Sequence, residues 1–156
     1  MKTSVARKPE PPASPSRNGG EYRVENHVGH LLRRAHQRHT AIFQQEFSDL
    51  QLTPTQFAAL AKIRDEGSVS QNLLGRLTAM DPATIQGVIQ RLEARKLIER
   101  QPDPVDRRCT LLRLTAAGQA ILADAIARTR PVTEATLAPL TASERQTFFA
   151  LLRKLT

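Results

Sequence analysis

Apolar residues recur every three to four positions over most of this chain, and helix-start and turn residues separate the runs. Val24, Val28, Leu31, Leu32, Ala35, Ile42 and Phe43 share one face of a long helix over 24–47, with His39 in line among them. Thr53-Pro54-Thr55-Gln56 reads as an N-cap, a first-turn proline and a capping-box glutamine. It opens a second helix bearing Phe57, Leu60 and Ile63, which stops before Gly67. Ser70 caps a short helix through Leu73, Leu74 and Leu77, and Asp81-Pro82 repeats the cap-plus-proline start for a helix over 82–95. Residues 97–100 and 110–114 read as short strands, because Pro102 and Pro104 confine what lies between them to a loop. Thr115 caps another helix, which Pro131 kinks or interrupts before it resumes toward Leu137. Thr141 or Ser143 starts a last helix with Phe148, Phe149, Leu151, Leu152 and Leu155.

This order, four helices, a hairpin and closing helices, predicts a mainly α winged helix-turn-helix with a β-hairpin wing. Residues 1–20, with Pro9, Pro11, Pro12, Pro15 and four basic side chains, form a disordered basic arm, either a solvated tail or a transient phosphate contact. Residues 21–156 form one domain, in which 53–115 is the DNA-reading part. The flanking helices, 21–50 and 116–156, exceed what a lone winged domain needs. Their apolar faces call for a symmetric second subunit, so the fold is expected to be dimeric.

Charge supports that picture without deciding it. The 156 residues carry a formal charge of +8, and the pI is near 10.7, which favours a polyanionic partner. No apolar run is long enough to span a bilayer, and Cys109 is the single cysteine. A cytoplasmic protein with no membrane role follows as the expectation. Without a Gly-rich phosphate loop, a nucleophile–base motif or a metal motif of catalytic spacing, the chain does not read as an enzyme, and no cofactor or metal is expected.

On a helical wheel, Ile85, Val88, Ile89 and Leu92 share the inner face of residues 81–95. The outer face presents Ala83, Gly87, Gln90 and Ala94, flanked by Thr84, Gln86 and Arg91. Small residues let the helix approach base edges. Gln86 and Gln90 suit adenine, and Arg91 suits guanine or a phosphate. The amides near Asp81–Thr84 are candidates for a phosphate. At the hairpin tip, Arg107 and Arg108 suit the narrow minor groove of an A·T-rich segment, with Asp106 holding the Arg108 guanidinium. Ser70 and Arg76 are further phosphate candidates. The plainer alternative makes all of these solvated surface. A two-fold dimer would read an inverted repeat in double-stranded DNA, with half-sites about 10 bp apart.

The stretches LTPTQFAALAKI, DPATIQGVIQRLEARKLIER and DPVDRRCTLLRLTAAGQAIL resemble the MarR family of bacterial transcription regulators, over roughly residues 24–156. The wing phrase is the specific part: Asp106, Arg108, then Leu114-Thr115. One departure is Lys96, where the family often has glycine. In the left-handed region it would cost about 1 kcal/mol. The first helix, LLRRAHQRHTAIFQQ, resembles the subgroup that represses aromatic-acid catabolism. That resemblance implies release by a hydroxylated aromatic or nicotinate-type acid, or by an aryl-CoA thioester. His39 and, at the margin of the same face, Arg38 are candidates for the acid's carboxylate, with Phe43 and Phe57 sandwiching its ring. The alternative pairs Arg38 with Glu46 or Asp49. An oxidant sensor at Cys109, a metal sensor at His27, His30, His36 and His39, a sequence-neutral architectural DNA-binding protein and a helical interaction protein remain as competing readings.

Overall fold

A computed structural model describes residues 23–106 and 108–156. The predicted arm and Arg107 lie outside the described residues. After a single helical turn at Val24–Asn26 come α1 (Val28–Glu46), α2 (Pro54–Glu66), β1 (Val69–Ser70), α3 (Gln71–Leu77) and α4 (Pro82–Ala94). β2 (Ile98–Pro102), β3 (Thr110–Leu114), α5 (Ala116–Ala127), α6 (Thr129–Thr136) and α7 (Ala142–Leu152) complete the chain.

The predicted caps form. Thr53 Oγ1 accepts from the Gln56 amide (3.2 Å), and Gln56 Oε1 accepts from the Thr53 amide (3.0 Å). Gly67 ends α2 at φ 71. Ser70, Thr115 and Thr141 cap α3, α5 and α7 with their hydroxyls. Three boundaries differ from the sequence pattern. His27, with ψ 129, breaks the first helix in its first turns. Side-chain periodicity does not register one extended residue. The helix after the wing divides at Arg128, not at Pro131. Pro131 then falls in the first turn of α6, where an amide has no intrahelical acceptor and its absence costs nothing. The wing gains a third strand: β1 pairs antiparallel with β3 (Val69↔Leu112), giving the order β1-β3-β2.

The core gathers Leu60 and Ile63 of α2, Leu74 of α3, Ile89 and Leu92 of α4, Leu112 of β3 and Leu122 of α5, all essentially inaccessible to solvent. This packs α4 and the wing strand β3 against α2 and α5 in one core. The inner face expected of the first helix is buried only at its C-terminal end, by Phe43 and Phe47. Toward its N-terminus, Val28 (63% exposed) and Leu31 (51%) have no cover, and neither do Leu151 (55%) and Leu155 (73%) of the C-terminal segment. Among the described residues, no helix is long and apolar enough to cross a membrane.

Candidate nucleic-acid interface and effector cavity

α4 divides as its sequence predicts. Ile85, Val88, Ile89 and Leu92 are buried, while Ala83, Thr84, Gln86, Gln90 and Arg91 are exposed and Gly87 is half-buried. A side chain on Gly87 would stand 3.6 Å from Arg91 Nη1, so the guanidinium lies back along the helix across the gap that glycine leaves. The helix start departs from expectation. Asp81 Oδ1 already accepts from the Ala83 (3.0 Å) and Thr84 (2.9 Å) amides, and the Thr84 hydroxyl donates to Oδ2 (2.5 Å). These bonds, led by those from Thr84, hold the Asp81 carboxyl below the usual carboxylate range. A fixed negative charge thus occupies the place considered for a phosphate. Beside it, Arg76 is exposed on α3, and the half-buried Ser70 hydroxyl accepts from the Leu73 amide (3.3 Å).

The wing tip is built by two aspartates. Asp103 Oδ1 accepts from the Val105 amide (2.8 Å) and Asp106 Oδ1 from the Arg108 amide (3.0 Å). Asp106 therefore holds the backbone of Arg108 and not its guanidinium. A short carboxylate in a tight turn finds the amide two residues on before it can reach a long side chain. Asp106 Oδ2 also accepts from Cys109 Sγ (3.6 Å), and the Asp106 charge pushes the thiol pKa up. Among the described residues, no three His, Cys, Asp or Glu side chains converge as metal ligands.

Helix and wing are locked together by contacts that side-chain periodicity does not signal. Lys96 adopts φ 56, so the left-handed cost that the sequence raised for it as a condition applies. The Leu97 amide bonds to Leu92 O (3.0 Å) and the Lys96 amide to Glu93 O (2.8 Å), closing a Schellman motif without glycine. The Thr115 hydroxyl donates to Lys96 O (2.7 Å). Glu93 of α4 takes two bonds from Arg100 of β2 (2.7 and 3.2 Å). Gly118 lets α5 pass against the Leu97 carbonyl. Its signal was a glycine inside the first turn of a helix, where it weakens the helix unless close packing requires it.

His39, Phe43 and Phe57 line, with Pro54, Thr129, Val132 and Thr133, a cavity of about 290 Å³. Phe43 and Phe57 do not face each other across a gap. Their centroids are 5.9 Å apart at 55°, in direct tilted contact, and Phe43 stacks instead on Phe47 (3.9 Å, 19°). A ligand ring has room beside them and not between. Arg38 is not on this cavity. Its guanidinium donates to Ala135 O (3.0 Å) and Thr136 O (3.4 Å), carbonyls of the last turn of α6, where Ala135 O also takes the Ala138 amide (3.4 Å). Neither Glu46 nor Asp49 pairs with it. Asp49 pairs with Arg128 instead. His39 Nδ1 lies 3.1 Å from Thr136 Oγ1. Burial, and then the nearby His36, lower its pKa. His39 also lines a second, apolar cavity of about 410 Å³ with Leu32, His36, Phe148 and Phe149.

The MarR family model matches residues 52–110, the span from the second helix to the wing. The transcriptional repressor NicR of Pseudomonas putida is 46% identical over 151 residues, 97% of this chain and 95% of that protein. The structure of Bordetella bronchiseptica BpsR, whose DNA binding is regulated by 6-hydroxynicotinic acid, superposes with a TM-score of 0.81 at 45% identity, covering 87% of this chain and 97% of that one. A mutant of Escherichia coli MarR complexed with operator DNA has a TM-score of 0.76 at 27% identity, covering 82% of this chain and 92% of that one. With its reading helix, wing and near-complete alignment to a repressor, this chain belongs to the MarR family of winged helix-turn-helix transcription regulators, and it is not an enzyme.

Proposed function

We propose that the protein is a homodimeric, cytoplasmic repressor that holds an inverted-repeat operator and releases it on binding a small aromatic carboxylate of the hydroxynicotinate type. The observation that carries DNA reading is the division of α4, with four apolar side chains inside and Gln86, Gln90 and Arg91 outside beside the wing. Gln86 and Gln90 read adenine edges and Arg91 a guanine or a phosphate, Ala83 and Gly87 allow close approach, and Arg107 and Arg108 enter the minor groove. Arg76, beside Asp81 at the start of α4, and the Ser70 hydroxyl at the start of α3 are supporting phosphate contacts, while the Thr84 hydroxyl is already committed to Asp81. The uncovered apolar side chains of the terminal helices support a second subunit.

The effector reading rests on the His39–Phe43–Phe57 cavity and on the acid that regulates BpsR. At about 290 Å³ the cavity is at the small end of ligand sites, which run about 300–1,000 Å³. That size favours a single-ring acid over its coenzyme A thioester. His39 Nε2 is the polar group available to the acid, because the Thr129 and Thr133 hydroxyls already donate to Ile126 O (2.7 Å) and Thr129 O (2.9 Å).

The test is fluorescence anisotropy at fixed salt, with duplexes tiled from upstream of the protein's own gene against a random duplex. One fragment should bind at least about 1,000-fold tighter than random DNA, and 6-hydroxynicotinic acid should release it while its thioester does not. Equal affinity for every duplex would establish architectural binding instead.

A further inference from the structure

The connection between α1 and α2 is gripped by an arginine on each side. From the α5–α6 junction, Arg128 makes two bonds to Asp49 (Nη1–Oδ1 2.6 Å, Nη2–Oδ2 2.9 Å). It also reaches Glu46 O (3.2 Å) and Asp124 Oδ2 (3.0 Å). From the other side Arg95, the C-cap of the recognition helix, donates from Nη1 to Gln51 O (2.7 Å) and from Nη2 to Leu50 O (2.9 Å). Two successive carbonyls held by one planar fork fix both distance and direction. An ammonium, a single point charge, does not reproduce that. Left-handed backbone adjoins the grip: Gln51, whose carbonyl is held, has φ 51, and Lys96, the residue after Arg95, has φ 56, while Arg95 itself has φ −85. Neither Gln51 nor Lys96 is glycine, so the surrounding contacts hold them there.

This connection begins at the effector cavity. Phe43 lines the cavity and stacks on Phe47, which is buried and ends α1. A chain of direct contacts therefore runs from the cavity wall through Phe47 and the 48–51 segment to Arg95 and the C-terminal end of α4. The Schellman turn and the Glu93–Arg100 pair then join that end of α4 to the wing.

We propose that Arg95 is the positioning residue that couples the cavity to DNA recognition. Occupancy beside Phe43 moves the 47–51 segment, and Arg95 carries that movement to the end of α4 and the wing, changing how both meet the duplex. Arg128 supplies the fixed side of the arrangement by tying the same segment to α5. The inference rests on the effector reading above. It differs from a stabilising role for Arg95 in what it predicts: loss of coupling with binding of both ligands preserved.

The experiment measures operator affinity by anisotropy with and without saturating 6-hydroxynicotinic acid, and acid affinity by calorimetry, in the full-length protein and in R95A. The wild type should lose at least about fivefold in operator affinity when the acid binds. R95A should keep both single affinities within about threefold, while the acid-induced loss shrinks to less than about twofold. By linkage, the DNA-bound variant should then bind acid about as well as the free variant does. R95K, which keeps charge and bulk without the two-pronged grip, should behave like R95A and serves in its place if R95A does not fold. A wild type that releases on acid, with R95A and R95K releasing equally, overturns the positioning role alone. A wild type indifferent to every aromatic acid offered overturns the effector reading and this inference with it.

Discussion

The carbonyl of Leu97 occupies the space that a side chain on Gly118 would need. A Cβ there would overlap the oxygen outright and stand 2.9 Å from the carbonyl carbon. Both neighbours are backbone, and the Leu97 carbonyl is already committed to the Thr115 amide (3.1 Å), so neither moves cheaply. Gly118→Ala should therefore destabilise the fold by about 1–3 kcal/mol, the range for overpacking a close contact. Urea denaturation measures this. A change of less than about 0.5 kcal/mol would mean that α5 slides freely against the wing base.

Lys96 invites the opposite substitution. Its φ of 56 is strained for a side-chain-bearing residue and free of strain for glycine. The Schellman bonds around it use backbone only, so they survive the change. Lys96→Gly should stabilise the protein by about 0.5–1 kcal/mol and raise Tm by about 1–4 °C, net of the entropy glycine gains when unfolded. Differential scanning calorimetry is the check.

Lys96 also shows how much was legible in advance. The resemblance marks it as a position where the family often has glycine, but the sequence raises its left-handed conformation only as a condition, and the φ of 56 is a finding of the structure. The division of α4 into inner and outer faces is legible, since periodicity is a local property. Contacts between distant segments are not local. Arg38, a sequence candidate for an effector or a carboxylate, caps α6 instead, 97 residues away. Asp49, its candidate partner, belongs to Arg128, 79 residues on. Each residue found the nearest group of opposite polarity in three dimensions, and the sequence does not contain that distance. The strand β1 escaped notice because two residues carry no alternation.

The wing tip yields a paired prediction. Arg108→Ala should weaken operator binding by about 1–3 kcal/mol and reduce the salt dependence. Asp106→Asn should not, since Asn keeps the oxygen that accepts from the Arg108 amide and loses a charge that repels DNA. The same variant should also bring the Cys109 thiol back toward its ordinary pKa, because Asp106 is the leading cause of its upward shift. Iodoacetamide should therefore alkylate Cys109 faster in Asp106→Asn than in the wild type at pH 8. Operator affinity that falls equally in both variants would show that Asp106 orients the guanidinium after all.

His39 gives the fold and the proposed effector response a common pH dependence. Burial, with the nearby His36 adding to it, holds its pKa below the ordinary 6.5. The unfolded chain then binds the proton more readily than the folded one. The stabilising contribution is present above about pH 6.5 and is lost as pH falls through the lower folded value. A carboxylate bound beside His39 reverses the balance by favouring the imidazolium. Acid binding should take up a fraction of a proton near pH 6.5, and affinity for 6-hydroxynicotinic acid should rise as pH falls from 7.5 to 6 while the acid stays ionised. Calorimetry in two buffers of different ionisation enthalpy reads the proton directly. His39→Gln keeps a hydrogen-bonding side chain and cannot titrate, so it should abolish both the uptake and the affinity slope while operator binding persists. If that variant takes up the same proton, the carboxylate lies beside some other group and the cavity at Phe43 is not the effector site.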